Sequence, residues 1–341
     1  MRLTRIVIAL AVVIVLVIAW GEFSGRQPNR DAVAAAESEL GIKLETRHVD
    51  VGEVSLHVVF AGPADGEPVV LLHGFPEFWF AWRYEMARLA DAGYRVIVPD
   101  QRGYNLSDKP ESIEAYRVDT LAADIARLIT ELGFDSAYVA AHDWGGGVAW
   151  RLAINHPQRV RRLAMIDTPH PRAGEGFESK EETVSWYRTF MQLPWIPEWV
   201  SRAGNYRLLV DSLRRTSKPG TFPDEVMDQF RSAWDRDGAR SAMTNWYRAA
   251  FRFPPQAEGT QRVALPTLMI LAAEDAFIPA DMTRRSMCFL DDARLVELDT
   301  GTHWVVQEEP EIISQLLADF FGAGSVDAKF RPATTRPDDC P

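Results

Sequence analysis

The stretch AYVAAHDWGGG, residues 137–147, carries an apolar strand into small residues and then a helix, with Asp143 at the apex. A strand that turns sharply into a helix lifts its apex residue above the sheet and sets it beside unpaired backbone N–H groups. In the G-x-S-x-G form of this turn the apex is a serine. Here Ala141, Gly145 and Gly146 keep the crowded flanking positions small while a carboxylate replaces the hydroxyl. An isolated Asp at a helix start is ordinarily an N-cap, so the reading depends on what accompanies it. His73-Gly74-Phe75-Pro76 ends another apolar strand, where the Phe75 N–H could meet that of Trp144 across Asp143 as an oxyanion hole. Asp275 and His303 follow two later strands at their carboxyl ends, where open α/β sheets place site residues, and Glu274 competes with Asp275. Nucleophile, acid and histidine stand in the order of a catalytic triad. A carboxylate attacking an ester carbonyl would give a high-energy anhydride, whereas attack on a saturated carbon gives an ordinary ester. Asp143 therefore points to alkyl substrates. His303 would then activate water against that ester with Asp275 orienting its ring, and no metal or organic cofactor is required.

These residues need a sheet to hold them. Residues 68–72, 94–99, 137–141 and 160–166 are short apolar runs separated by helix-length segments, the pattern of parallel strands buried on both faces. Between two of them Val118, Leu121, Ile125, Leu128, Ile129 and Leu132 form the stripe of an amphipathic helix. Alternation at 46–51 and 54–61 predicts an antiparallel hairpin ahead of them. The β pattern stops after Asp167 and resumes at 267–273 and 294–298, followed by a closing helix at 310–321. Residues 171–260 read as helical and rich in Trp, Tyr, Phe and Arg. The expectation is an α/β fold, a mostly parallel sheet with helices on both faces. Its core spans 46–170 and 261–322, with a helical lid at 171–260 inserted into it.

Of the 341 residues, 37 are Lys or Arg and 48 are Asp or Glu, a net charge of −11 that argues against a nucleic-acid partner. An apolar content of 47% excludes a collagenous or wholly disordered chain. Residues 6–20 are continuously apolar behind Arg2 and Arg5. As a helix this run would span roughly 23 Å against a hydrocarbon thickness of about 30 Å, between a signal peptide and a spanning helix. The bulky Trp20 favours an uncleaved signal anchor over residues 1–20, with the catalytic part extracytoplasmic by the positive-inside rule; secretion after cleavage is the alternative. Residues 21–45 read as a linker and 323–341 as a flexible tail. The two cysteines, Cys288 and Cys340, do not make a disulfide framework and are expected to be unpaired. Oligomeric state is open.

The motifs HGFPEFWFAWR (73–83), DQRGYNLSDKP (100–110), HDWGG (142–146) and NWYR (245–248) resemble those of the epoxide hydrolases of the α/β-hydrolase fold, over roughly residues 46–322. The first three also occur, with changes, in dehalogenases; the lid motif is the more specific. The resemblance implies that Tyr247, and Tyr187 ahead of Gln192 and Pro194, donate to the epoxide oxygen. Opening an epoxide releases an alkoxide, and a phenol of pKa about 10 can donate to it at neutral pH. His73, Pro76, Trp186, Phe190 and Trp246, with Phe75 and Trp144, would line an apolar pocket for a small apolar epoxide. A haloacid dehalogenase should carry an arginine where Trp144 stands, and a haloalkane dehalogenase an asparagine where Phe75 stands. The dehalogenase alternative stays open, as does a catalytically silent binding protein of the same fold.

Overall fold

The computed structural model describes residues 30–174, 185–255, 261–322, 332–333 and 340. Among these, nine strands form one sheet in the order β1-β2-β4-β3-β5-β6-β7-β8-β9. They are β1 (Glu45–Asp50), β2 (Ser55–Ala61), β3 (Pro68–Leu72), β4 (Arg95–Pro99), β5 (Ala137–His142), β6 (Val160–Ile166), β7 (Thr267–Ala272), β8 (Ala293–Leu298) and β9 (Pro332–Ala333). From β4 to β8 every pairing is parallel, while β1, β2 and β9 join antiparallel at the two edges. The burial follows the composition. Every residue of β3, β4 and β7 is buried, and their continuous apolar runs suit strands covered on both faces. At the edge, β1 has one buried residue and carries charge.

Helices α1 (Ala32–Leu40), α2 (Arg83–Asp91), α3 (Val118–Glu131) and α4 (Trp144–Asn155) alternate with the first strands. On α3 the predicted stripe buries Leu121, Ile125, Leu128 and Ile129, and the helix packs against α4. Strand β3 has β4 on one side and β5 on the other, so the chain reverses direction across the sheet between β3 and β5. A crevice forms at the carboxyl ends of strands at such a switch point. Here it brings the turns after Leu72 and His142 together.

Between β6 and β7 the described chain is helical: α5 (Ser185–Phe190), α6 (Ile196–Arg215, bent at Ala203 to Tyr206), α7 (Asp224–Trp234) and α8 (Ala239–Arg252). This lid is fastened to the core by indole N–H groups, since buried indoles need an acceptor. Trp234 Nε1 donates to the Pro76 carbonyl at 2.6 Å and Trp246 Nε1 to the Arg102 carbonyl at 3.0 Å. After β7 come α9 (Ala280–Ser286), α10 (Val305–Glu308) and α11 (Pro310–Phe321), the last packing against α2.

Three expectations are corrected. The segment read as a linker contains α1, which Asp31 caps through the Val33 and Ala34 N–H groups and Gly41 ends at φ 67°. The cysteines read as unpaired form a disulfide. The tail returns along β8 as β9, and the Cα atoms of Cys288 and Cys340 lie 5.3 Å apart. Finally, the expectation of a membrane-anchored, extracytoplasmic protein is withdrawn. Among the described residues no helix is long and apolar enough to cross a membrane, and residues 6–20, on which that expectation rested, lie outside them.

Candidate active site

Asp143 closes β5 and opens α4 with φ 50° and ψ −123°, a backbone that non-glycine residues rarely adopt. Its side chain makes no cap bond to the helix it precedes. Instead the Phe75 N–H donates to Asp143 Oδ1 at 2.7 Å. Gly74 makes this approach feasible: a Cβ there would lie 2.5 Å from Asp143 Cβ and 2.6 Å from Oδ1. Trp144 is the first residue of α4, so its N–H belongs to the unpaired helix terminus beside the carboxylate. The two turns expected to form an oxyanion hole thus face each other.

His303 follows β8 and lies between two carboxylates. Its Nδ1 is 2.7 Å from Asp275 Oδ2, and its Nε2 is 3.5 Å from Asp143 Oδ2. The Asp275 side chain is fully buried, and its Oδ1 accepts the N–H groups of Phe277 at 2.6 Å and Ile278 at 2.9 Å, so three donors hold the carboxylate. Glu274 offers no such contact to the histidine; its N–H bonds the Gly301 carbonyl. Burial alone would lower the pKa of His303, but the Asp275 charge, reinforced by the bonds and charge of Asp143, raises it well above the usual histidine value. Burial would raise Asp143, yet the bond and charge of His303 and the Phe75 N–H hold it below the ordinary carboxylate range. The resting site is therefore an ion pair, Asp143 carboxylate against His303 imidazolium.

Tyr247 on α8 roofs this pair. Its ring meets Phe75 at 5.0 Å, Trp144 at 4.9 Å and Tyr187 at 6.0 Å, all edge to face. Burial, the Asp143 charge and the neighbouring Tyr187 push its pKa well above 10, against a hydrogen bond from Trp144, so Tyr247 stays a proton donor. Trp246 packs edge-on to Trp144 at 6.0 Å, and half-buried Phe190 ends α5. Trp186 belongs to α5, but its side chain lies outside the described residues.

His73 departs from its expected substrate-lining place. It is completely buried, with Nδ1 on the Gly74 carbonyl at 3.0 Å and Nε2 accepting the Gln101 N–H at 3.2 Å. Burial lowers its pKa, so the neutral ring is committed to shaping the loop. Pro76 likewise serves the fold through its carbonyl, held by Trp234.

Sequence reasoning missed a buried polar chain behind His303. His142 Nε2 donates to the His303 carbonyl at 2.7 Å, and its Nδ1 is 3.2 Å from Glu77 Oε2. Gln307 Nε2 donates to Glu77 Oε1 at 3.3 Å, and Gln307 Oε1 accepts from Arg83 at 2.9 Å. Glu77 and His142 lie inside motifs the sequence displayed, HGFPE and HDWGG, so a polar residue within an otherwise apolar motif was the available signal. Asp167, one residue past β6, was also missed as a buried group. Its Oδ1 accepts the Ala272 N–H at 2.8 Å and its Oδ2 has no partner. Among the described residues no group of three or more His, Cys, Asp or Glu side chains could hold a metal ion.

Residues 67–310 match the family described as alpha/beta hydrolase fold. The chain is 40% identical to the AB hydrolase superfamily protein YfhM of Bacillus subtilis, over 82% of this chain and 98% of that protein. It is 33% identical to epoxide hydrolase 2 of Caenorhabditis elegans, over 82% of this chain and 80% of that one. Its structure superposes on that of a mutant of an epoxide hydrolase from Bacillus megaterium with a TM-score of 0.72, at 25% identity, covering 81% of this chain and 100% of that one. A carboxylate at the elbow under a lid tyrosine, matched over most of the chain to such relatives, places the protein in the alpha/beta hydrolase fold family and, within it, among the epoxide hydrolases, enzymes that hydrolyse epoxides.

Proposed function

We propose that the protein opens a small apolar epoxide through a covalent ester on Asp143 and hydrolyses that ester to a vicinal diol. The observation that carries this reading is the Asp143 carboxylate itself: bonded by the Phe75 N–H, opposed by His303, and not used as a helix cap. In the first step Asp143 Oδ2 attacks a ring carbon from beneath. Tyr247, with Tyr187 beside it, donates to the epoxide oxygen as the C–O bond breaks. The aromatic surround of Phe75, Trp144, Tyr247 and Trp246 favours an apolar substituent.

Esterification also switches the histidine. While Asp143 is charged, it helps keep His303 protonated and useless as a base. Once alkylated, Asp143 is neutral, that support disappears, and the His303 pKa falls. The imidazolium can then give its proton to the tyrosinate left by ring opening, and the neutral ring can take one from water. Hydroxide adds to the ester carbonyl, the Phe75 and Trp144 N–H groups hold the oxyanion, and the alkoxide leaves as diol after taking up a proton. Asp275 supports the imidazolium throughout.

Because His303 is needed only for the second step, His303→Gln exposed to styrene oxide should trap the ester. Intact-protein mass should rise by the mass of one styrene oxide, on the peptide containing Asp143. An unmodified protein, or modification elsewhere, overturns the mechanism.

A further inference from the structure

The His303 loop is held from both sides by groups that have no place in the chemistry above. Trp304, the next residue, sends its indole N–H to the hydroxyl of Thr216 at 2.8 Å. Its ring lies between His303 at 5.0 Å and the lid residue Phe222 at 5.5 Å. On the other side, the Thr302 N–H and hydroxyl both bond the Glu308 carboxylate, at 3.0 and 2.7 Å. Glu308 Oε1 also accepts the Lys218 N–H at 2.7 Å, and Lys218 Nζ pairs with Glu309 at 2.5 Å. Thr216 and Lys218 belong to the lid, in the turn between α6 and α7. Both chain neighbours of His303 are thus tied to one lid turn, Trp304 directly and Thr302 through Glu308.

Tyr247 is held by a different seam. Tyr247 sits on α8, whose Trp246 bonds Arg102 and whose Asn245 reaches the Glu111 carbonyl at 3.5 Å. That seam meets the loop after β4. The α6–α7 turn meets the loop after β8. One lid therefore contacts the two halves of the reaction at separate places.

We infer that the α6–α7 turn of the lid positions the catalytic base: Thr216 and Lys218 are positioning residues for His303, acting through Trp304 and Glu308. This rests on the two-step reading above. Side chains must be held to within a fraction of an ångström for proton transfer, and a loop of four residues between β8 and His303 cannot supply that by itself. Loosening the turn should harm ester hydrolysis, which uses His303, and spare ester formation, which uses Asp143 and the tyrosines.

The test is a double-mutant cycle on the Thr216–Trp304 bond, read by rapid mixing with styrene oxide. Thr216→Val and Trp304→Phe each keep most of the shape and remove one partner. Each should lower the hydrolysis rate constant by about tenfold, the scale of one lost neutral hydrogen bond. The double variant should be no slower than the slower single one, and ester should accumulate at steady state. Glu308→Ala, which removes the acceptor shared by Thr302 and the Lys218 backbone N–H, should act in the same direction, with Glu308→Gln restoring part of the rate. Effects that multiply in the double variant, equal losses in both steps, or no loss in either would overturn the inference. Thr216→Val alone, the mildest change, decides the matter should Trp304→Phe fold poorly. If His303→Gln forms no ester, the underlying mechanism has failed and not the positioning role.

Discussion

The ends of β6 and β7 lie side by side, and each presents a buried aspartate side chain, yet the two groups are opposites. Asp275 receives two backbone N–H groups and the His303 ring. Asp167 receives one N–H, from Ala272, and leaves its second oxygen without a partner. Burial, with the Asp275 charge next, drives the Asp167 pKa far upward, so it keeps its proton. Glu85 on α2 repeats the second case away from the site: both oxygens lack partners, and burial raises its pKa well above the usual range. A strand-end position therefore does not make a charged catalytic acid. The number of donors aimed at it does.

Replacing the two kinds of acid by amides should separate them. Asp143→Asn should reduce turnover of styrene oxide to background, because an amide neither attacks nor forms the ester; retained turnover with ester on another residue would end the proposed mechanism. Asp275→Asn should slow ester hydrolysis by about 10⁴-fold, the cost of an amide in the orienting place of a related triad, while ester still forms. Glu85→Gln should change stability and not chemistry. In the wild type the folded pKa is raised, so the stability cost is absent below the unfolded value of about 4.3 and grows above it. The Gln variant lacks that cost, and its advantage in urea unfolding should widen by about 1.4 kcal/mol per pH unit from there upward, until the folded carboxyl titrates. A constant advantage would show that Glu85 is ionised. The smallest effect is expected from Asp167→Asn, which swaps a protonated acid for an amide of similar shape and should keep turnover near that of the wild type. A loss as deep as that of Asp275→Asn would erase the distinction drawn above.

What was legible in the sequence follows the same division between local and distant constraints. Asp143, Asp275 and His303 stand within a few residues of the ends of strands whose apolar runs are unmistakable, and small residues around Asp143 betray the turn. Fold class, strand positions and the α3 stripe were readable for that reason. The Glu77–His142 and His142–His303 contacts span 65 and 161 residues, and no local pattern announces them. His73 was misplaced because a motif names a residue without saying where its ring nitrogens go. The disulfide, 52 residues apart in sequence, was invisible until the tail was seen to return along β8.

That return has a consequence for how copies of the chain meet. Strand β8 would otherwise end the parallel sheet with a free row of backbone donors and acceptors, a template on which another chain can add a strand. Pairing of Leu295 and Val296 with Ala333 and Pro332 occupies part of that row, and proline brings no N–H of its own to extend it. The bond from Cys340 to Cys288, on the turn just before β8, makes this cover a covalent part of the domain. Strand β9 thus covers part of the edge at which copies of the chain could add to one another, and a shortened chain ending at α11 would carry both an open edge and a newly unpaired thiol.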